Sequence, residues 1–477
     1  MPKRVILTEK PDVAKHVAEF FGIEQKLKGA YRLKNGDWVT YNVGHLLDLG
    51  TPEDYMSEAQ KAARGFAQLP ILPKPFRHFP DPEKLEQLKT VVKLLKEADI
   101  IVNAGDIDRE GQWIADEVIA YAGIDPAGAT KPVERVLIRA NNDASLRTAF
   151  DPSNRRKNGE AEFVHRRTAG QARSEADWLV GMNGSRGVRS RIAARLDTTL
   201  SVGRVQTPTL GLVVQRELDI QNFKSLTYYV PEVVLLNGRV LTWSSHVEGA
   251  SMQGIDAEGR IIDLRVAEAI VARINAGQIG QVTAFTAIER EQAPPLPFNL
   301  AKLQSEMSAR CAMSAKETSA ATQSLYQTRK MVSYVGTDCQ YLPSSMHTEA
   351  SQVLKGLSAS YLKLASGANP KIRYACWNDA KVSAHHAIIP TGEQAQGLSN
   401  YERKVFDAIA RRYMAQFYPK HVFLDSRLEA QYGEDLFKSS WKTTQVLGWK
   451  AVDAPVDEDH SEAADMENKM AMRMRHP

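Results

Sequence analysis

The apolar residues of the N-terminal part of the chain follow the same plan twice. A short apolar run at residues 5–7 is followed, after a proline, by apolar positions at helical spacing over residues 13–21. A second run typical of a buried strand, at residues 99–102, is followed by a loop and by another helical pattern over residues 114–121. Strands that alternate with helices predict a mostly parallel sheet, whose ligands bind at the carboxyl ends of the strands.

The pattern changes several times in the rest of the chain. Residues 151–225 are predicted to be helical and are rich in arginine, and residues 226–290 have the alternation of strands. Helical spacing returns in residues 299–330, and strand-like sequence resumes at about residues 423–452. Because β-rich sequence lies on both sides of a helical segment, we expect discontinuous domains. Residues 453–477 have no apolar period, and we expect a disordered tail there.

Length and composition indicate a soluble protein of several domains. A chain of 477 residues exceeds what one hydrophobic core serves, so about two to four domains are expected. No stretch approaches the roughly 18 uncharged apolar residues of a membrane span, and we expect a cytoplasmic protein without membrane contacts. The cysteines are too few for a disulfide framework and too widely spaced for a zinc site. They are Cys311, Cys339 and Cys376.

Positive charge is concentrated in one segment. The formal net charge of the chain is only +4, but residues 155–204 contain ten Arg and one Lys against five acids. The densest group is Arg186, Arg189, Arg191 and Arg195. Such a segment either binds the phosphates of a nucleic acid or is a solvated helix face with ion pairs, which is the commoner role of an isolated charge run.

Three carboxylates occupy alternate positions on the loop after the second predicted strand. Asp106, Asp108 and Glu110 can gather hard oxygen ligands around one Mg²⁺, which takes one or two carboxylates and fills its other positions with water and phosphate oxygens. Glu9 ends the first predicted strand, so the sheet is expected to bring it to the same edge. Taken alone, Glu9 is an ordinary acid at the start of a helix.

The acidic loop is open to two other interpretations. Together with Gly111 and Glu117, the three acids match an EF-hand calcium loop except at its fifth position. An EF-hand needs an entering helix, whereas the preceding segment is short and β-branched, which argues against calcium. Acids that complement a helix dipole explain Glu110 but neither aspartate.

The two β-α units resemble a known domain. A strand followed by Glu9, and a second strand followed by Asp106-x-Asp108-x-Glu110, are similar to the Toprim domain of topoisomerases, primases and some nucleases. The resemblance implies that the Glu transfers protons and that the Asp residues bind Mg²⁺. The segments LTEKPDVAKHVAEFFG, NVGHLLDLG and NAGDIDREGQWIADEVI resemble type IA DNA topoisomerases of the topoisomerase III kind. By this resemblance residues 1–150 form the Toprim domain, and Lys10 assists catalysis.

A tyrosine in the 291–400 segment matches the nucleophile of that family. Type IA topoisomerases cut one DNA strand with a tyrosine in a segment of the form S/T-Y-P-R-T-D, and a phenol needs a proton acceptor and nearby cations for this attack. This chain has SYVGTD at that place, so the resemblance assigns the nucleophile to Tyr334. Taken alone, a tyrosine between apolar neighbours is more often a core residue of a strand.

The arginine that follows the tyrosine in the family is absent. Gly336 occupies its position and cannot hold the scissile phosphate. Loss of one such preorganised donor typically costs on the order of 10²–10³ in rate. Arg329 and Lys330 are the nearby cations that are candidates to replace it.

Two further segments resemble DNA-binding motifs of the family. QARSEADW is similar to a helix whose Arg and Asp, four residues apart on one face, contact DNA near the active site; here these are Arg173 and Asp177. LSVGRVQTP is similar to a strand-binding motif. Its candidate DNA-binding residues are Ser201, Arg204 and Gln206.

Two histidines are assigned by the same resemblance. SAHHAIIPT implies that His385 lies near the scissile phosphate, and NVGHLLDLG assigns His45 to DNA binding. A lone histidine on an apolar segment is more often a structural residue.

The resemblance extends from about residue 3 to 452 and implies a fold and an activity. The fold is multidomain: an α/β Toprim domain, a helical Arg-rich domain (151–225), a β-rich arch (226–290 and 401–452) and a helical domain with Tyr334 (291–400), which enclose a hole. The activity is cleavage of one strand through a 5′-phosphotyrosine, passage of another strand, and religation, for relaxation or decatenation. The expected cofactor is Mg²⁺, bound by Glu9, Asp106, Asp108 and Glu110. The expected partners are single-stranded DNA and underwound duplex DNA, bound by a monomer. No ATP is required, since no phosphate-binding glycine loop occurs.

Gly336 favours an alternative function. The family also continues beyond the point where the resemblance ends, so we expect a C-terminally truncated chain. Both features favour a catalytically impaired remnant that acts as a single-stranded DNA-binding module. A Toprim nuclease or primase is a third class, which the matches outside the Toprim segment disfavour.

Overall fold

A computed structural model describes residues 3–139, 143–192, 200–244, 253–382, 385–394 and 396–453. The described residues divide into two compact units. The first lies within Met1–Leu218, Gly336–Thr348 and Trp377–Ala387, and the second within Asp219–Val335, Glu349–Cys376 and Ile388–Pro477. Except for its first residue, the tail expected at 453–477 lies outside the described residues, as does Arg195.

The strands and helices are numbered in chain order. The strands are β1 (Arg4–Thr8), β2 (Ile23–Leu27), β3 (Ala30–Leu33), β4 (Trp38–Tyr41), β5 (Leu47–Leu49), β6 (His78–Pro80), β7 (Ile100–Ala104), β8 (Val133–Arg135), β9 (Arg156–Lys157), β10 (Glu232–Val234), β11 (Val240–Ser244), β12 (Gln281–Gln292), β13 (His421–Tyr432) and β14 (Asp435–Val446). The helices are α1 (Pro11–Phe21), α2 (Pro52–Tyr55), α3 (Glu58–Ala62), α4 (Leu85–Glu97), α5 (Arg109–Tyr121), α6 (Asp143–Phe150), α7 (Ala161–Arg191), α8 (Gln206–Gln221), α9 (Leu264–Asn275), α10 (Leu300–Cys311), α11 (Ala315–Gln327), α12 (Ser344–His347), α13 (Ala350–Gly367) and α14 (Asn400–Ala415).

The first unit is built on a sheet with the order β2-β3-β4-β1-β7-β8-β9. Its central strands β4, β1, β7 and β8 are parallel. One core cluster joins this sheet to α4 and α5, and another joins its opposite face to α1 and α6. Both predicted β-α units are confirmed as β1-α1 and β7-α5, and their strands are neighbours with parallel register, Thr8 opposite Ala104.

The long helix α7 crosses α5 closely. A Cβ added to Gly170 of α7 would lie 2.5 Å from the carbonyl oxygen of Arg109, at the start of α5. Only glycine allows so close an approach of the two helices. The arginine-rich helix is therefore held beside the acidic loop.

The second unit contains an antiparallel sheet with the order β10-β11-β14-β13-β12. Strands from the two β-rich stretches of the sequence share this sheet, since β11 pairs with β14 and β12 with β13. The stretch 226–290 also contains helix α9, which we did not predict. Asp263 caps this helix by accepting a hydrogen bond from Arg265 N, and Ala267 and Ile270 bury its inner face against the sheet.

Helix α8 is exposed along its whole length. Its apolar side chains point to all sides, although a helix that is apolar all round is ordinarily buried. The exposed apolar residues are Leu210, Leu212, Val213, Val214, Leu218 and Ile220. Among the described helices of the chain, none combines the length and the hydropathy needed to cross a bilayer.

Candidate active site

The predicted acidic residues meet at the carboxyl ends of β1 and β7. Glu9 and Lys10 follow β1, and Asp106 follows β7 after one glycine. Lys10 Nζ lies 2.5 Å from Asp106 Oδ2, and His385 Nε2 lies 3.0 Å from the same oxygen. Three separate parts of the sequence therefore converge on the Asp106 carboxylate.

Gly111 makes this convergence possible. A Cβ added there would lie 2.6 Å from Glu9 Oε2, 2.7 Å from Asp106 Cβ and 2.7 Å from the Asp106 carbonyl oxygen. No side chain fits at such distances, so the first turn of α5 packs directly on both acids. The glycine that resembled part of a calcium loop thus serves close packing.

The two acids are held in different charge states. Burial and the neighbouring Asp106 carboxylate raise the pKa of Glu9 to about 7, against the lowering effect of Lys10. Burial also acts to raise the pKa of Asp106, but the hydrogen bond to His385 and the charge of Lys10 outweigh it and hold this pKa at about 2. Near neutral pH, Asp106 is ionised while Glu9 readily binds or releases a proton.

Asp108 and Glu110 make other contacts. Asp108 Oδ1 accepts a hydrogen bond of 2.7 Å from Gly111 N and caps α5, so the helix-start role that we rejected for Asp108 is present. Glu110 lies 3.1 Å from His45 Nε2 and 3.2 Å from Arg173 Nη1. The rejection of an EF-hand is confirmed, because strand β7 and not a helix precedes the loop.

The arrangement fits Mg²⁺ bound by few protein ligands. Within the described ranges, no three His, Cys, Asp or Glu side chains are gathered as a metal site. However, the carboxylates of Glu9 and Asp106 lie together beside the first turn of α5. Carboxylate oxygens are the donors that Mg²⁺ prefers, and Mg²⁺ commonly takes only one or two of them.

The contacts of His45 favour its positively charged form. Its Nδ1 lies 2.8 Å from Glu117 Oε2 and its Nε2 lies 3.1 Å from Glu110. Carboxylates only accept hydrogen bonds, so both ring nitrogens must carry hydrogen. Burial opposes this charge, but the bonds to Glu110 and Glu117 outweigh it and raise the pKa of His45 to about 9. The buried Glu117, which also lies 3.4 Å from His78 Nε2, fixes the ring from behind.

The predicted DNA-binding arginines line one cleft. Arg173 and Arg204 both pair with Asp177, at 3.7 Å and 2.9 Å, and the three side chains line a cleft of about 390 Å³ together with Arg109. The Asp177 carboxylate therefore lies between the two arginines, and Arg173 also pairs with Glu110. The remaining predicted contacts, Ser201 and Gln206, are exposed and hydrogen-bonded to each other at 3.0 Å.

Tyr334 lies in the second unit, outside any strand, and is half-buried. The core-strand role that is common for such a tyrosine is therefore not its role here. Ser333 fixes the segment, because its N–H donates to Ile389 O at 2.9 Å and its hydroxyl accepts from Ile389 N at 3.0 Å. Two residues after Tyr334, at Gly336, the chain enters the first unit.

The two cations near Tyr334 in the sequence differ in their contacts. Arg329 is bound to Glu402 at 3.1 Å and to the carbonyl oxygen of Gly397 at 3.1 Å, so it is committed within the second unit. Lys330 Nζ lies 5.7 Å from the centre of the Tyr326 ring, which packs edge-on against Tyr334 at 5.5 Å. Of the two, Lys330 is the better placed to replace the missing arginine.

Sequence reasoning missed Arg135, at the end of β8. This side chain is completely buried, and it donates hydrogen bonds to the carbonyl oxygens of Gly105 at 2.8 Å and Asp106 at 2.7 Å and to Gln112 Oε1 at 2.9 Å. Burial lowers the pKa of Arg135 to about 10, which still leaves it charged at neutral pH. It fixes the backbone of the acidic loop from behind. A charged residue inside the apolar segment VERVLI was the available signal.

The chain is similar to known proteins in sequence and in fold. A family model described as the Toprim domain matches residues 4–138, and one described as DNA topoisomerase matches residues 163–475. DNA topoisomerase 3 of Vibrio cholerae is 36% identical over 471 residues, which cover 95% of this chain and 71% of that protein. DNA topoisomerase 3 of Salmonella typhimurium is 34% identical over 459 residues, covering 94% and 69%. A solved structure of full-length topoisomerase I from Thermotoga maritima has a TM-score of 0.61 at 21% identity, covers 94% of this chain and 67% of that one, and shows likeness of fold.

Proposed function

The chain belongs to the type IA DNA topoisomerases, and on this basis we propose that it cuts one DNA strand with Tyr334, passes another strand through the break and reseals it. The observation that carries the proposal is the convergence on Asp106. A protonatable buried acid, a lysine and a histidine surround one ionised carboxylate at a strand edge. This set can hold a phosphodiester, balance its charge and supply a proton.

The cleavage step follows from these groups. The Tyr334 oxygen forms a bond to phosphorus while its proton passes to solvent water, and the bond from phosphorus to the 3′ oxygen breaks. Glu9 gives a proton to the departing 3′ oxygen, while Lys10 and His385 offset charge beside Asp106. Asp106 and Asp108, with Glu9 beside them, would hold Mg²⁺, which would supply positive charge to orient the DNA phosphates. Glu110 acts through His45 and Arg173, with which it is bonded.

Religation reverses these steps on the same residues. The 3′ hydroxyl attacks the phosphotyrosine and Tyr334 takes back a proton. The phosphotyrosine conserves the bond energy, so the reaction needs no ATP, and a monomer suffices. The DNA partners are single-stranded DNA and underwound duplex DNA.

The arginine cleft gives a prediction for DNA binding. The affinity for a single-stranded oligonucleotide is expected to fall steeply with salt, because each neutralised phosphate releases counterions. Arg204→Ala is expected to weaken binding and to reduce the slope of log affinity against log salt by about 1. Fluorescence anisotropy between about 50 and 200 mM salt measures both.

The matched control is Arg32→Ala. Arg32 lies on β3, is paired with Glu24 at 3.2 Å and is absent from the lining of the cleft. It is expected to leave the slope unchanged. An affinity that does not depend on salt would contradict the proposed DNA path.

Gly336 gives a second prediction. Gly336→Arg returns a cation to the position that the family uses and is expected to raise the single-turnover cleavage rate, by up to about 10²-fold. Gly336→Met adds a side chain without charge and is the control. The covalent adduct on a labelled oligonucleotide, trapped with detergent, is the measurement. Equal rates for the two variants would show that charge at 336 is irrelevant.

A second function is favoured by one observation. Gly336 offers no cation, and Arg329 is bound to Glu402. A chain that binds single-stranded DNA without cutting it is therefore the alternative. Salt-dependent binding without an adduct, in the wild type and in Gly336→Arg alike, would support this binding module.

A further inference from the structure

Two buried polar groups lack partners at the same edge of the sheet. Asn42 has no exposed surface, and neither its Oδ1 nor its Nδ2 has a hydrogen-bond partner among the described residues. Glu9 Oε2 is also buried and has no hydrogen-bond partner among the described residues. Buried polar groups are almost always hydrogen-bonded, since leaving them unpaired is costly, so each of these two groups needs a partner that the described residues do not supply.

The register places these two residues side by side. Thr8 is opposite Tyr41 in the parallel pair β1–β4, and Asn42 N–H donates to Thr8 O at 2.9 Å. Glu9 and Asn42 are therefore the next residues on adjacent strands, whose axes lie about 4.8 Å apart.

Alternation also places both residues on one face. Leu7 is opposite Thr40, and Val5 is opposite Trp38. Val5, Leu7 and Trp38 belong to the core cluster beneath α4 and α5. Glu9 lies two residues beyond Leu7, and Asn42 lies two residues beyond Thr40, so both extend this same face. Glu9 Oε2 also lies close to Gly111, which places Glu9 under the first turn of α5.

Neighbouring polar groups do not supply the missing partners. The Thr8 hydroxyl donates to Lys10 O at 3.1 Å, and the Thr40 hydroxyl donates to Gly29 O at 2.8 Å. One buried water molecule between the Asn42 carboxamide and Glu9 Oε2 would give both groups a hydrogen-bond partner, as buried waters typically do.

We infer that Asn42 is a positioning residue of the active site, which holds one buried water against Glu9 Oε2 and so fixes the Glu9 carboxyl group. The link to catalysis rests on the proposed function of Glu9, whereas the buried water itself does not. An indirect partner of this kind typically changes activity 10–100-fold when it is removed.

Kinetics distinguish this role from a purely structural one. Asn42→Leu keeps the approximate size of the side chain and removes the amide. It is expected to slow single-turnover cleavage by about 10–100-fold, with an unchanged oligonucleotide Kd and a urea midpoint that is unchanged or higher. Asn42→Ser, whose hydroxyl can hold a water, is expected to recover most of the rate.

The coupling to Glu9 is tested in a double variant. In the Glu9→Gln background, Asn42→Leu is expected to add little further loss, because residues that act as a unit are not additive. A wild-type rate in Asn42→Leu, or an equal loss in both backgrounds, overturns the positioning role.

A crystal structure that resolves ordered waters tests the inference without activity. Density within hydrogen-bond distance of both Asn42 and Glu9 Oε2 is expected, and an empty space or other partners for the two groups would overturn it. If the wild type forms no adduct that depends on Tyr334, the proposed function fails, and this structure alone decides the inference.

Discussion

Tyr334→Phe is expected to abolish the covalent adduct between the protein and single-stranded DNA. Phenylalanine keeps the ring and its edge-on packing against Tyr326 but lacks the attacking oxygen. Loss of a nucleophile costs far more than loss of a supporting group, and the cleavage rate should fall by at least about 10⁴-fold. The adduct is measured on a labelled oligonucleotide with Mg²⁺ after a detergent quench.

Tyr326→Phe is the matched control for this experiment. Tyr326 packs against Tyr334 and lies beneath Lys330 in the same unit. The substitution therefore removes a hydroxyl group from the same surroundings. It should leave most of the cleavage rate. An adduct that persists in Tyr334→Phe, or one that disappears equally in Tyr326→Phe, would remove Tyr334 from the role of nucleophile.

Gly111→Ala is expected to have the second-largest effect, on both stability and cleavage. The new methyl group would lie 2.7 Å from the Asp106 carbonyl oxygen and 2.6 Å from Glu9 Oε2, so α5 or the acidic loop must shift. Overpacking of this kind costs about 1–3 kcal/mol of unfolding free energy. The shift also separates Glu9 from Asp106, so cleavage should fall by at least about 10²-fold.

Gly211→Ala controls for the substitution itself. Gly211 also lies within a helix, but a Cβ there meets nothing within 4 Å. Alanine should raise the unfolding free energy by about 0.5–1 kcal/mol, because glycine is the poorer helix former. Urea unfolding followed by circular dichroism measures both variants. Stabilisation by Gly111→Ala would show that the tight packing around Gly111 is not rigid.

The backbone of the site was predictable because it depends on short-range patterns. The apolar runs and helical spacings located β1, α1, β7 and α5, and the parallel-sheet rule brought Glu9 and Asp106 to one edge. The fold class is confirmed, since the Toprim and DNA topoisomerase family models both match the chain. The domain boundaries and the catalytic roles stay predictions.

The side-chain partners were not predictable, because they depend on how distant elements pack. Glu110 is bonded to Arg173 because α7 crosses α5 at Gly170, and to His45 because the segment between β4 and β5 lies beside the start of α5. Arg135 has no nearby pattern that reveals its bond to the Asp106 backbone. The capping role of Asp108 depends on where α5 begins, and boundaries of elements are the least certain part of a sequence prediction.

The exposed apolar surface of α8 bears on how stability should be measured. Dyes that fluoresce in apolar surroundings report unfolding by binding to newly uncovered side chains, as they do in partly folded states. Leu210, Leu212 and Val213 already offer such a surface in the folded chain. We therefore expect a high fluorescence baseline before heating and a correspondingly small change on melting. Calorimetry or circular dichroism reports the unfolding of this protein without that background.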